Sequence, residues 1–202
     1  NKSKKNVFSG VGKTSNEINY AISKKILLIN AESKSEIQEI NRIAKLRKIK
    51  VQIGIRLNPN TDAKTLSQIS TGKKENKFGV NSKIFLELVD YCKKSKNIEL
   101  KCLSVHIGSQ ILDYKPYEKM LRVIGKIIDK SKHHFKFIDL GGGMGISYKY
   151  RDKQLNYTKY NTIIKKFLKK HKSKIIFEPG RSIIGDAGLL ITKVIYKKKN
   201  KK

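Results

Sequence analysis

Six short apolar runs alternate with amphipathic stretches along the chain, and this alternation constrains the fold more than any other feature. Residues 7–9, 26–31, 51–57, 100–107, 135–140 and 174–177 read as strands, with predicted helices near 15–23, 35–48, 83–94, 116–130 and 158–171 between them. In the second helix Ile37, Ile40, Ile43, Ala44 and Arg47 recur at three-to-four spacing, while Glu36, Gln38, Glu39 and Lys45 fall largely opposite. One face therefore packs on a sheet. Strands that are apolar on both sides and joined by helical crossovers imply parallel pairing with right-handed connections.

The strand ends choose between a doubly wound sheet and a closed barrel. Polar or glycine-rich segments follow nearly every strand: Ser9-Gly10-Val11-Gly12-Lys13, then residues 30–33, 56–60, 106–110, 141–143 and 178–181. A ring of such loops is a barrel's signature, whereas a doubly wound sheet concentrates its ligand contacts at one switch point. The expectation is an α/β fold, an incomplete (β/α)8 barrel whose strands are about the third to the eighth, occupying residues 1–184. Residues 185–202 then begin a linker or strand towards a separate C-terminal β domain, and the lysine run 197–202 is read as a frayed end.

Phe137-Ile138-Asp139-Leu140 runs straight into Gly141-Gly142-Gly143. Consecutive residues without Cβ let backbone N–H groups close on an anion, so this loop reads as a phosphate cradle. The next strand ends in Glu178-Pro179-Gly180-Arg181, which brings charge of both signs to the same rim. Gly10-Val11-Gly12-Lys13-Thr14 imitates a nucleotide-binding P-loop, but that spacing needs glycine where Val7 stands. Gly141-x-Gly143-x-x-Ile146 likewise departs from the dinucleotide fingerprint, which ends in Gly or Ala.

A net charge of +30 raises the question of nucleic acid. The lysines are scattered as pairs that face water, and arginine occurs only at Arg42, Arg47, Arg56, Arg122, Arg151 and Arg181, so no specific nucleic-acid partner is expected. Cys92 and Cys102 form no metal or disulfide pattern, and His106, His133, His134 and His171 lack ligand spacing. With no apolar leader or long apolar span, a cytoplasmic protein without a membrane partner is expected. His106 sits at a strand end beside Gly108 and Ser109, where an imidazole can face a ring or carry a proton. Arg56 interrupts an apolar strand and needs an anionic partner, for which Glu178 is a candidate.

Taken in order, Phe8-Ser9-Gly10-Val11-Gly12-Lys13-Thr14, Arg56-Leu57-Asn58-Pro59, Ile69-Ser70-Thr71-Gly72, Glu75-Asn76-Lys77-Phe78-Gly79, His106-Ile107-Gly108-Ser109-Gln110, Asp139 to Gly143 and Glu178-Pro179-Gly180-Arg181 closely resemble the diaminopimelate decarboxylases. These belong to the fold-type III pyridoxal-phosphate enzymes. The resemblance implies decarboxylation of meso-2,6-diaminopimelate to L-lysine with pyridoxal 5'-phosphate, an amino-acid substrate and a homodimer. Sister decarboxylases acting on ornithine, arginine or carboxynorspermidine stand as the alternative, followed by a non-catalytic cofactor-binding protein or a basic nucleic-acid binder. It further implies that Gly141, Gly142, Gly143, Ser109 and Gly180, with Pro179 beside them, hold the cofactor phosphate, and that His106 stacks on the pyridine ring. Glu178 faces the ring nitrogen, Arg181 binds near the phosphate and a substrate carboxylate, and Arg56 orders the carboxylate of Glu178. The family's Schiff-base lysine lies in a Tyr-Ala-x-Lys-Ala-Asn setting that this sequence lacks, Tyr20-Ala21-Ile22-Ser23-Lys24 being only a near miss. Its cysteine proton donor belongs to the C-terminal domain, so this chain alone is not expected to decarboxylate.

Overall fold

Strands β1 (Val7–Phe8), β2 (Leu28–Ala31), β3 (Val51–Arg56), β4 (Ile98–Ser104), β5 (Phe137–Asp139) and β6 (Lys174–Ile176) pair in chain order, every pair parallel. The computed structural model describes residues 2–63, 71–72, 78–148 and 153–199. Residues 69–70, 75–77, 200–202 and Arg151, which figure in the sequence reading, lie outside the described residues. Helices α1 (Ser15–Ser23), α2 (Lys34–Leu46), α3 (Ser82–Lys94), α4 (Lys115–Ser131) and α5 (Tyr157–His171) form the crossovers, and a single turn, α6 (Arg181–Ile184), follows β6.

Helices α1, α2, α3 and α5 start where side chains can satisfy their free N–H groups. Thr14 and Glu17 close a capping box on α1, Ser33 accepts from Glu36 N at the start of α2, and Asn81 and Asn156 do the same for α3 and α5.

Alternation along the strands sorts the side chains into two environments. Ile29, Ile53, Ile55, Leu103 and Ile138 pack outward on Ile37, Ile40, Phe85, Leu88, Tyr117 and Ile124 of the helices. Leu28, Cys102 and Phe137 form a separate inner cluster with Val7 and Ile176. A flat six-stranded sheet would hold its edge strands roughly 24 Å apart at about 4.8 Å per step. Yet Ser9 Oγ, just past β1, donates to Glu178 Oε1, just past β6, at 2.7 Å. The sheet is therefore curled, with the C-terminal strand ends converging as in part of a (β/α)8 barrel.

Several strands are shorter than their apolar runs, and β4 begins earlier, at Ile98, and ends at Ser104. Beyond Ser104 the chain stays bonded, Val105 N donating to Asp139 O at 2.8 Å, until Gly108 turns it away at φ 147°. No strand includes the described residues after Ile184, and Leu189, Leu190, Ile191 and Tyr196 are almost fully exposed. No helix among the described residues is long and apolar enough to cross a membrane.

Candidate active site

The inner face changes character along each strand. Stepping by two residues, β2 runs Leu28, Asn30, Glu32; β3 runs Gly54, Arg56; β4 runs Cys102, Ser104, His106; β5 runs Phe137, Asp139, Gly141; and β6 runs Ile176, Glu178. Apolar residues fill the N-terminal end and polar groups crowd the C-terminal mouth, which is where such folds place their chemistry.

The glycine loop is built into this mouth by close backbone packing. A Cβ on Gly142 would run into the carbonyl oxygen of Glu178, and one on Gly143 into that of Gly108. Gly141 and Gly143 also hold φ of +64° and +89°, which L side chains rarely adopt. Part of the reason for three glycines is thus the fit of three strand ends against one another, in addition to any ligand. Gly142 N donates to His106 Nδ1 at 3.2 Å, and Glu178 N donates to Gly141 O at 2.9 Å. His106 is consequently a neutral imidazole with its proton on Nε2. Burial pushes its pKa below the ordinary value and the Arg56 charge adds to this, with Glu178 and Glu32 pulling the other way.

His106, the glycine loop and Arg181 meet at this mouth. Arg181 Nη1 reaches Gln110 Oε1 at 3.4 Å and Tyr148 Oη at 3.1 Å, and Gln110 holds both the N–H and the carbonyl of Ile146. Among the described residues, Ser109 Oγ and the N–H groups of Gly143, Gly180 and Arg181 make no hydrogen bond. Gly180 has open space where a Cβ would stand. These unpaired donors at one rim, beside a guanidinium, fit a phosphate monoester.

One expectation is corrected. Arg56 does not pair with Glu178; its Nη1 donates to Glu32 Oε1 at 2.7 Å, with side chains only 12% and 6% exposed, and its guanidinium lies 4.9 Å from the Phe78 ring. Glu32 Oε2 accepts from Gly79 N at 3.0 Å, so one carboxylate joins β3 to the loop at Gly79. Direct pairing of β2 with β3 puts Glu32 beside Arg56, whereas the curl of the sheet brings Glu178 to Ser9.

Sequence reasoning missed a buried polar set below the rim. Asp139, fully buried, accepts from Gly141 N at 2.9 Å, Asn30 Nδ2 at 2.8 Å and Ser104 Oγ at 3.3 Å. Burial, followed by the charge of Glu178, pushes its pKa up to about 7. Lys13 is also buried, its Nζ donating to Gly10 O at 2.5 Å, Asn30 O at 2.8 Å and Glu36 Oε1 at 2.6 Å. The two-residue step back from His106, Gly141 and Glu32 was the signal that would have found Ser104, Asp139 and Asn30.

Comparison with known proteins defines the class. Residues 2–185 match the family model described as "Pyridoxal-dependent decarboxylase, pyridoxal binding domain". The chain belongs to this family, and the cofactor of the class is pyridoxal 5'-phosphate. The diaminopimelate decarboxylase of Helicobacter pylori is 44% identical over 196 residues, 96% of this chain and 48% of that protein. That of Aquifex aeolicus is 41% identical over 95% of this chain and 46% of its own length. The crystal structure of the Helicobacter pylori enzyme complexed with L-lysine superposes with a TM-score of 0.87, covering 96% of this chain and 50% of that one. The fold is therefore an incomplete TIM barrel of the diaminopimelate decarboxylase type, and the chain spans about half the length of the relatives it matches.

Proposed function

We propose that the whole protein carrying this chain decarboxylates meso-2,6-diaminopimelate to L-lysine, with pyridoxal 5'-phosphate held at the mouth just described. The observation that carries the reading is the convergence of unpaired phosphate donors at Ser109, Gly143, Gly180 and Arg181 with His106 and Glu178 on one rim. When bound, the cofactor supplies an electron sink for the carbanion that loss of carbon dioxide leaves.

This chain's residues supply the setting. Gly141, Gly142, Gly143, Ser109 and Gly180, with Pro179 fixing the turn, seat the phosphate. His106, neutral because it accepts from Gly142 N, presents an uncharged ring face. Glu178, held by Ser9, offers its second carboxylate oxygen to the pyridine nitrogen and keeps a proton there. Arg181 attracts phosphate and substrate carboxylate, and Arg56, clamped by Glu32, sets the potential of the opposite wall. In this reading residues 1–184 are the cofactor-binding barrel portion and 185–202 lead towards a further domain. The protein is cytoplasmic and works as a homodimer, with no nucleic-acid or membrane partner.

Substrate assays on the whole protein test this reading. Carbon dioxide release and L-lysine formation from diaminopimelate are expected, and turnover of ornithine or arginine without diaminopimelate turnover would overturn it. Removing the phosphate should weaken cofactor binding at least tenfold, since the donors at the rim then lose their acceptor.

A further inference from the structure

A single directed chain of hydrogen bonds crosses the barrel below the rim. Asn30, 1% exposed, uses both amide hydrogens: one goes to Asp139 Oδ2 at 2.8 Å, the other to Ser9 Oγ at 3.0 Å. Ser9 passes its own hydrogen to Glu178 Oε1 at 2.7 Å. Because that proton is committed, Ser9 Oγ can only accept from Asn30, and the acceptors on either side leave the amide one orientation. The consequence is visible on its other atom. Asn30 Oδ1 is buried without a partner, pressed towards Gly54, where any Cβ would overlap it. A buried amide that leaves its oxygen unsatisfied is being held by a stronger demand for its hydrogens.

We propose that Asn30 is a positioning residue which, through Ser9 and anchored by Asp139, fixes the Glu178 carboxylate as an acceptor aimed at the bound ring's nitrogen; this rests on the cofactor reading above. The direction of every bond supports it. With Ser9 donating to one oxygen of Glu178, the carboxylate is held in one orientation and its second oxygen is left to accept from the ring nitrogen. Without that donor the orientation is lost and the carboxylate's hold on the ring N–H weakens. Gly54 belongs to the device, since only a residue without Cβ leaves room for the amide in this orientation. Asp139 fixes the far end, and its carboxylate accepts from Gly141 N as well, which ties the chain to the phosphate loop.

Two measurements on the whole protein test the proposal. In the first, the protein is loaded with cofactor labelled with 15N in the ring, and the nitrogen resonance reports ring protonation. Ser9→Ala and Asn30→Leu should both move it towards the neutral-pyridine position, and Ser9→Thr, which keeps the hydroxyl, should restore it. A resonance unchanged in both variants with cofactor still bound overturns the proposal, even if affinity has fallen, because a purely structural role would alter affinity alone. In the second, without cofactor, the side-chain carboxyl of Asp139 is titrated by 13C NMR. Asn30→Leu, or Asn30→Ala should the larger change unfold the protein, removes a donor and should raise the Asp139 midpoint by about one pH unit. An unmoved midpoint overturns the chain itself. Failure of the wild-type protein to retain cofactor would instead remove the functional reading, leaving the Asp139 titration to decide whether the chain exists.

Discussion

Replacing Glu32 tests the reassignment of Arg56 directly. Its carboxylate serves two donors, Arg56 Nη1 on one oxygen and Gly79 N on the other, and an amide offers only one acceptor oxygen. Glu32→Gln therefore leaves either a guanidinium or a backbone N–H facing an NH2 group. Breaking a buried ion pair by removing one partner costs about 3–5 kcal/mol. The contact of Arg56 with the Phe78 ring is present before and after the change and cancels, so the loss should stay at about 3–5 kcal/mol. Urea denaturation followed by circular dichroism measures it. A double-mutant cycle of Arg56→Met with Glu32→Gln should then show a coupling of about 2 kcal/mol, and the same cycle with Glu178→Gln less than about 0.5 kcal/mol. Stronger coupling to Glu178 than to Glu32 would refute the reasoning and restore the pairing that the sequence suggested.

Further outcomes follow from single contacts. Tyr117, fully buried, donates its hydroxyl to Gly142 O at 3.2 Å, so Tyr117→Phe should cost about 1–2 kcal/mol in the same denaturation assay. Tyr160 packs against it at 4.7 Å with a buried hydroxyl that has no partner, so Tyr160→Phe should be neutral or stabilising. Gly142→Ala should destabilise by about 1–3 kcal/mol, because the methyl meets the Glu178 backbone, which cannot rotate aside. The pH dependence of stability should carry the mark of Asp139. With its pKa raised from 3.8 to about 7 in the fold, its contribution is complete below the unfolded value and is lost as pH rises through about 7. The stability difference between the wild-type protein and Asp139→Asn should therefore shift against the wild type from pH 4 to 8, and a difference independent of pH would contradict the assignment.

The strand order, the parallel pairing and the mouth were legible because they follow from short-range signals: apolar runs of strand length, amphipathic helices between them, and polar loops after each strand. Arg56 was singled out correctly as a charge in need of a partner, yet the partner was misassigned. Glu32 lies two residues past Asn30, just before the N-cap Ser33 of α2, whose first turn carries Glu36, and nothing local tells which of several acids faces inward. That choice is made by the assembled sheet, in which β2 pairs directly with β3, while the curl sends Glu178 across to Ser9. The triple glycine shows the same limit from the other side. Its phosphate reading came from the absence of side chains, but the close passage of Gly142 by Glu178 and of Gly143 by Gly108 is a long-range demand that only the assembled barrel makes. Local pattern therefore names the residues that carry charge and the positions that lack side chains, and closure of the sheet decides which of them meet. For that reason the inner-face step of two, counted back from a strand-end residue such as His106, extends the site inward: it leads from His106 to Ser104, and across the register Ser104↔Asp139 to the acid beneath the mouth.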